Sequence, residues 1–518
     1  MGKAQKIIEL LLHPTEARAV INYKIWRDTR DITDVKELPT TFYDRPTMKR
    51  TWDFLDMTSR SFAFVIKELE GELARIVCIF YVVLRALDTI EDDMTLPNSV
   101  KLPLLRSMHL KLHEPGWNFD GSGPNEADRQ VLVEFENVQA EFALLDRKYQ
   151  LVIEGICQKM GRGMADFAAL ATPEQPVAEV NSIADYDLYC HYVAGVVGEG
   201  LSGLFSASGR ERPWLADQLT ISNSMGCLLQ KTNILRDVKE DVDEGRGFWP
   251  RAIWAKHGFN SMKELVDPAR EKEALFAASE MTLDALRHAL DALDYMTLLK
   301  CQTVFNFVAI PAVMAMATLD RCFMNPLLLK KNVKIRRGEA VSIVSRSVNP
   351  RDVSFMFKGF ARSIHSKVHK EDPNLLRLSV ACARIEQWSE HHYPTFIQIA
   401  PGQQAAIDSG TTDARAPMYA KMYASLAEKA AAEKRDAVIA DLKARGIIKP
   451  MPWDEMIEVE EEDENGEKRM VKRPKAPRPV TVPTEDVSMW MLVGIVAAVL
   501  GSMIAMGALV IWLVVRFS

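Results

Sequence analysis

The chain has 518 residues, enough for one large or two ordinary domains. Its 64 Lys and Arg against 70 Asp and Glu leave a formal charge of −6, which excludes a general nucleic-acid binder. Seven cysteines without a CxxC pair, mostly in apolar runs, exclude a disulfide framework and read as small core residues in a reducing compartment.

Met1 to Arg18 has no apolar core of the kind a secretory signal needs, and residues 1–50 form an N-terminal segment. From Thr51 to Trp388 strand signals are nearly absent, while apolar residues recur at helical spacing. Examples are Phe62 to Leu69, Leu73 to Leu87, Val131 to Met160, Asp185 to Phe205, Leu215 to Val238 and Glu273 to Leu299. Turn residues separate these runs, as in Leu96-Pro97-Asn98, Pro115-Gly116 and Asp120-Gly121-Ser122-Gly123-Pro124. The pattern predicts one large all-α domain over residues 51–400, its helices arranged around a central cavity. Cys301 to Leu319 carries no charge and would pass for a membrane span. Asn306 and Pro311 inside it, and amphipathic sequence on both sides, predict a buried helix lining the cavity instead.

Residues 401–486 change in composition. Met418 to Arg445 is rich in Ala, Glu and Lys and predicts an exposed helix. Asp454 to Glu467 then carries nine acids and no base, and Lys468 to Arg478 six bases and no acid, with prolines at Pro474, Pro477, Pro479 and Pro483. This reads as a disordered tether whose basic half suits an anionic leaflet. Val487 to Val515 is 29 residues without a charge, with Trp490 and Trp512 near its ends. That length and those interfacial aromatics predict a transmembrane tail anchor, with everything before it on the cytosolic side.

The chemistry concentrates in two acidic clusters of one shape. Asp88, Glu91 and Asp92 stand at i, i+3 and i+4, and so do Asp237, Glu240 and Asp241. On a helix each set shares one face. Alone, either run reads as a solvated helix face. The polar residues upstream change that reading: Tyr81 and Arg85 precede Asp88 on its face, Gln230 and Asn233 precede Asp237 on its face, and Arg236 adjoins it. A surface stripe does not need its polar lining to continue into an apolar helix, and a site does. Carboxylates crowded at the edge of a core repel one another unless a cation pairs them. Two such faces opposed across a cavity suit Mg²⁺, which takes one or two carboxylates per ion and keeps positions for water and phosphate oxygens.

Other motifs carry less. Gly198 to Gly203 matches GxGxxG, but no strand precedes it, so a dinucleotide fold is rejected and Gly195, Gly198 and Gly203 predict close helix approach. His109 and His113 read as a surface pair, not a zinc site. Lys334-Ile335-Arg336-Arg337 is either a solvated basic loop or a clamp for phosphate groups.

Five stretches closely resemble squalene synthases, in the same order from about Thr51 to Val380. They are Ser59-Arg60-Ser61-Phe62, Tyr81 with Arg85 to Asp93, Tyr189 to Gly195, Gln230 to Asp237 and Phe305-Asn306-Phe307. The resemblance implies an isoprenoid-synthase fold that condenses two farnesyl diphosphates to presqualene diphosphate and reduces it to squalene with NADPH, the first committed step of sterol biosynthesis. It implies Mg²⁺ on Asp88, Glu91, Asp92, Asp237 and Asp241, and a catalytic role for Tyr189 and Phe307 beside those carboxylates. Ser59, Arg60, Phe62, Tyr81, Arg85, Gln230 and Asn233 would hold substrate. Arg60, Arg85, Arg236, Lys334 and Arg336 would hold the phosphates of substrate or NADPH. Phe62, Phe305 and Phe307 would wall the cavity. The tail anchor suits the endoplasmic reticulum membrane, with membrane-bound enzymes of sterol synthesis as neighbours, and the charged tether is similar to fungal forms. Val308 departs from relatives with cysteine there, and Glu199 from relatives with an aliphatic residue. The alternatives are a phytoene or dehydrosqualene synthase, which lacks the reduction, and a non-catalytic membrane scaffold, which would need no polar lining inside.

Overall fold

The helical runs fold as helices in a computed structural model that describes residues 13–26, 29–59, 62–170, 180–395 and 441, and the backbone of 456–462 and 468–474. In chain order, the helices of seven residues or more begin with α1 (Pro14–Trp26), α2 (Pro46–Thr58), α3 (Leu73–Asp92), α4 (Asn98–Lys111), α5 (Glu136–Ala143) and α6 (Arg147–Ala168). Then come α7 (Ile183–Cys190), α8 (Val196–Ala207), α9 (Leu219–Arg236), α10 (Val238–Glu244) and α11 (Glu271–Leu286). The series ends with α12 (Ala289–Leu298), α13 (Gln302–Cys322), α14 (Arg337–Arg346), α15 (Pro350–Lys367) and α16 (Leu375–His392).

α3 is the central element. Fifteen of its 20 residues are buried, from Leu73 to Ile90, as expected of a helix that is apolar nearly all round. It stops where Asp93 turns its carboxylate onto the Thr95 and Gly123 N–H groups, at 2.8 Å each. α2, α4, α6 and α8 pack against it, α9 packs against α8 and α13, and small residues set how close the helices come. A Cβ at Gly161 of α6 would stand 2.2 Å from the Leu105 carbonyl of α4. One at Gly226 of α9 would stand 2.2 Å from the Ala194 carbonyl, and one at Gly198 would stand 2.2 Å from the Ser222 carbonyl. The GxGxxG match is therefore helix packing. α13 is 72% buried over its most apolar window and is a core helix, as its Asn and Pro predicted.

Buried ion pairs tie the layers. Lys231 of α9 is fully buried and donates to Asp187 of α7 and Asp284 of α11, both at 2.5 Å. That anchor fixes one face of α9 and leaves the opposite face, with Gln230 and Asn233, to the cavity.

Four sequence expectations need correction. The Val131 to Met160 run is three helices, Arg129–Val133, α5 and part of α6, because tertiary partners hold the breaks: Arg50 of α2 takes the Glu134 carboxylate at 2.6 and 3.0 Å. The Glu273 to Leu299 run breaks at Arg287 and His288. His109 is buried against Gln158 (3.1 Å) and is not a surface residue. The charged segment expected to be a disordered tether contains an antiparallel ribbon, Met456–Glu462 paired with Lys468–Pro474. Its register sets Glu462 opposite Lys468, Glu461 opposite Arg469 and Glu458 opposite Lys472, so the acidic run has the basic run as its partner. The five residues between them include Asn465-Gly466, a turn pair. The predicted exposed helix, apart from Asp441, and the predicted tail anchor lie outside the described residues.

Candidate active site

A cavity of about 240 Å³ lies among α3, α8, α9, α13 and the short helix Phe62–Lys67. Its walls are mostly apolar, with Phe80, Leu84, Leu201, Phe205 and Met225 prominent. Phe62 and Phe307 line it, and Phe307 meets Phe205 edge-on at 5.8 Å. Phe305 does not: it is buried elsewhere in the core. The polar lining follows helical spacing. Tyr81, Arg85 and Asp88 descend one face of α3, and Gln230 and Asn233 descend the facing side of α9. Both rows lead toward the acidic clusters.

Arg85 is held over the Tyr81 ring, 5.6 Å from its centroid, with the Tyr81 hydroxyl accepting at 3.1 Å. The guanidinium stands 3.3 Å from Asp88 and 3.7 Å from Asp128, an acid that sequence reasoning missed. Burial pushes Asp88 up to about 7 against the pull of Arg85, with Asp92 adding to the rise, and burial lifts Glu91 well above the carboxylate range. The first cluster closes the C-terminal end of α3, where the helix dipole also disfavours negative charge. Lys101 of α4 partly offsets this by donating to the Glu91 carbonyl at 2.7 Å.

The second cluster straddles a break. α9 ends at Arg236 and α10 starts at Val238, with Asp237 between them in a near-helical conformation. The Asp241 N–H still reaches the Asp237 carbonyl at 2.9 Å, so the one-face spacing survives. Arg236 grips Asp237 with two donors, at 2.8 and 2.5 Å, and Asn332 donates to Asp237 and, at 3.0 Å, to Glu240. Asp241 is 8% exposed, and burial pushes it up to about 7 despite Arg246, with Asp237 and Asp92 contributing. Asp92 and Asp241 meet through Arg246, which contacts both. The two clusters therefore come together at one edge of the site.

Among the described residues no three carboxylate, histidine or cysteine side chains converge into a closed cage. The donors are hard oxygens in ones and twos, paired in part with Arg85, Arg236 and Arg246. That set fits Mg²⁺ completed by water and diphosphate oxygens, and does not fit a softer metal.

Tyr189 is buried, stacked on Phe248 at 5.3 Å and edge-on to Phe167 at 5.2 Å. Burial raises its phenol well above the usual value, and Glu91 and Asp92 raise it further, so the hydroxyl keeps its proton beside the first cluster. The turn that follows, His191–Gly195, is π-helical, a form common at functional sites. It presents Val193 and Ala194 to the cavity, and His191 Nδ1 contacts Asn223 at 2.7 Å.

A family model described as squalene/phytoene synthase matches residues 55–339, a span that contains both clusters, Tyr189 and the basic loop. The chain is 49% identical over 464 residues to the squalene synthase of Ganoderma lucidum, covering 88% of this chain and 99% of that one. With the squalene synthase of Mycosarcoma maydis it shares 51% over 433 residues, 80% of this chain and 74% of the relative. The chain belongs to the squalene/phytoene synthase family. A solved structure of TcSQS with the ligand BPH1237 superposes with a TM-score of 0.64 at 39% identity, covering 67% of this chain and all of that one.

The remaining family-implied residues are placed differently from one another. Ser59 is buried, and its Oγ accepts from the Phe62 N–H at 3.0 Å, a turn-forming bond at the cavity edge. Arg60 lies outside the described residues. Lys334 is exposed. Arg336 is ion-paired with Glu16 of α1, 320 residues away, whose side chain is 10% exposed. No local sequence signal announces that pair. Gly338 makes room for it, since a Cβ there would stand 2.6 Å from the Glu16 carboxylate. Glu199 is not among the residues lining the cavity and pairs with Lys159 of α6.

Proposed function

We propose that this chain joins two farnesyl diphosphates head to head, through presqualene diphosphate, and carries the product to squalene with Mg²⁺ and NADPH as cofactors, at the cytosolic face of the endoplasmic reticulum membrane. Family membership supports the condensation. The observation that carries the site is the apolar cavity whose polar rows, Tyr81-Arg85-Asp88 and Gln230-Asn233, run toward two meeting acidic clusters.

The residues divide the work. Arg85, steadied by Tyr81, offers a permanent positive charge beside Asp88, suited to the diphosphate of an incoming substrate. Asp88, Glu91, Asp92, Asp237 and Asp241 would hold Mg²⁺, which when bound draws charge from a departing diphosphate. Gln230 and Asn233 supply uncharged donors and acceptors on the opposite wall. Phe62 and Phe307 line the space where carbocations would form, where aromatic rings can stabilise positive charge, and the apolar walls keep out the water that would quench it. Tyr189 Oη, protonated and beside Glu91 and Asp92, can relay the proton lost on cyclopropane closure by passing its own to one of those carboxylates as it accepts. Lys334 and Arg336 are the groups for the NADPH phosphates, Arg336 exchanging its Glu16 partner for phosphate.

The test is product analysis of the purified chain given farnesyl diphosphate and Mg²⁺, with and without NADPH. Presqualene diphosphate should accumulate without NADPH and squalene should replace it when NADPH is added. Dehydrosqualene under both conditions would assign the non-reductive branch of the family.

A further inference from the structure

Arg246 stands where the two acidic clusters meet, and the end of α10 puts it there. Gly245 takes a left-handed φ of 75°, its N–H reaches the Val242 carbonyl at 3.2 Å, and the Arg246 N–H folds back to the Asp241 carbonyl at 2.7 Å. This doubled closure is a Schellman turn, which returns the second residue past a helix to its last turn. The guanidinium is thereby laid over Asp241, donating to Oδ1 at 3.1 Å, and pairs with Glu244 at 2.8 Å. Its other terminal nitrogen stands 3.6 Å from Asp92, at the end of α3. One side chain contacts both clusters, although 154 positions separate Asp92 from Arg246 in sequence.

We propose that Arg246 is a positioning residue: a built-in counter-cation that holds the Asp92 and Asp241 faces at their working separation before the site is loaded, and yields those carboxylates to the metal afterwards. The proposal rests on the metal reading of the clusters given above. Without a cation between them the facing carboxylates repel and the α3 and α10 ends part. A guanidinium suits the task because it is always charged and its planar fork can serve carboxylates on two sides at once. A lysine ammonium, a single point of charge, cannot span both. The arginine also competes with the metal. It stabilises the empty site and must release carboxylate contacts when a divalent ion arrives, so it sets the metal concentration at which the site loads.

The experiment uses the full chain in detergent, comparing wild type, Arg246→Gln and Arg246→Lys by thermal melting in EDTA and across a Mg²⁺ titration. Arg246→Gln should melt several degrees below wild type in EDTA, and the deficit should shrink as Mg²⁺ supplies the missing charge. Its half-saturating Mg²⁺ should fall roughly tenfold, the value of one charge-assisted contact removed from the competition. Arg246→Lys should lie between the two. A deficit that stays constant from EDTA to saturating Mg²⁺ would mark an ordinary structural arginine and overturn the proposal, as would melting curves identical to wild type. Asp237→Asn separates the two levels of the argument. If Mg²⁺ shifts neither wild type nor Asp237→Asn, the metal reading itself fails. If Mg²⁺ shifts wild type, but not Asp237→Asn, and Arg246→Gln follows wild type throughout, only the role of Arg246 is lost.

Discussion

At the residue scale, the basic loop separates two kinds of cation. Lys334 is exposed, whereas Arg336 is half-buried and tied to Glu16. Lys334→Ala should therefore leave stability unchanged and raise the apparent KM for NADPH, by about tenfold if one charged contact is lost. Arg336→Ala should do the same and also loosen α1 from α14. Glu16→Gln isolates that second effect, because it weakens the ion pair and keeps the guanidinium. Presqualene-to-squalene ratios across an NADPH titration report the first effect and proteolysis within residues 13–26 the second. An unchanged ratio for Lys334→Ala would return the loop to a solvated segment. Phe62 and Phe307 came only from the family resemblance, but the individual acids and Arg85 were legible from spacing, because helical periodicity converts sequence distance into a shared face. Asp128, Asn332, Glu16 and Arg246 were not, because each reaches the site or its border through a turn or a contact that no local pattern encodes.

At the element scale, the cavity wall is set where α8 and α9 approach to backbone contact at Gly198 and Ser222, while buried Lys231 ties the other side of α9 to α7 and α11. Gly226→Ala would drive a methyl group to 2.2 Å from the Ala194 carbonyl, and should cost about 3 kcal/mol and distort the cavity wall. Gly155→Ala, on α6 with no atom within 4 Å of its Cβ, should instead gain about 0.5–1 kcal/mol from helix propensity. Urea unfolding of the two variants checks the contrast, and equal effects would contradict the packing account. Between α11 and α12, burial beside Lys231 and Arg287 depresses His288 from 6.5 to about 3. The unfolded chain then binds the extra proton between those values, so stability present above about 6.5 is lost as pH falls through that window. From pH 7 to 5 wild type should lose about 2 kcal/mol relative to His288→Gln. A gap that does not change with pH would mean that His288 titrates normally. Single-helix runs such as Val131 to Met160 were misread at this scale because their breaks come from tertiary partners, with neither Gly nor Pro to mark them.

At the scale of the whole molecule, the family match over residues 55–339 and the described helices up to His392 place the chemistry well before residue 487. A chain ending at residue 486 should be soluble without detergent and turn over farnesyl diphosphate at close to the full-length rate. A folded but inactive truncation would show that the C-terminal region contributes to the site. The all-α architecture and the cavity helix α13 were readable because long amphipathic periods dominate the sequence. The ribbon at 456–474 was not, because each strand taken alone is a highly charged run with the composition of a disordered segment, and only their pairing balances the charge.

The central claim is that the two acidic clusters act as one diphosphate-ionising site at the edge of the cavity. Diphosphate release from farnesyl diphosphate with Mg²⁺, measured in a single turnover for wild type, Asp88→Asn and Asp237→Asn, tests it most directly. Each substitution keeps the side-chain shape and removes one charge, so circular dichroism should be unchanged while release falls by roughly a hundredfold or more in both variants. Release at near wild-type rate from either variant, with the helical fold intact, would contradict the account.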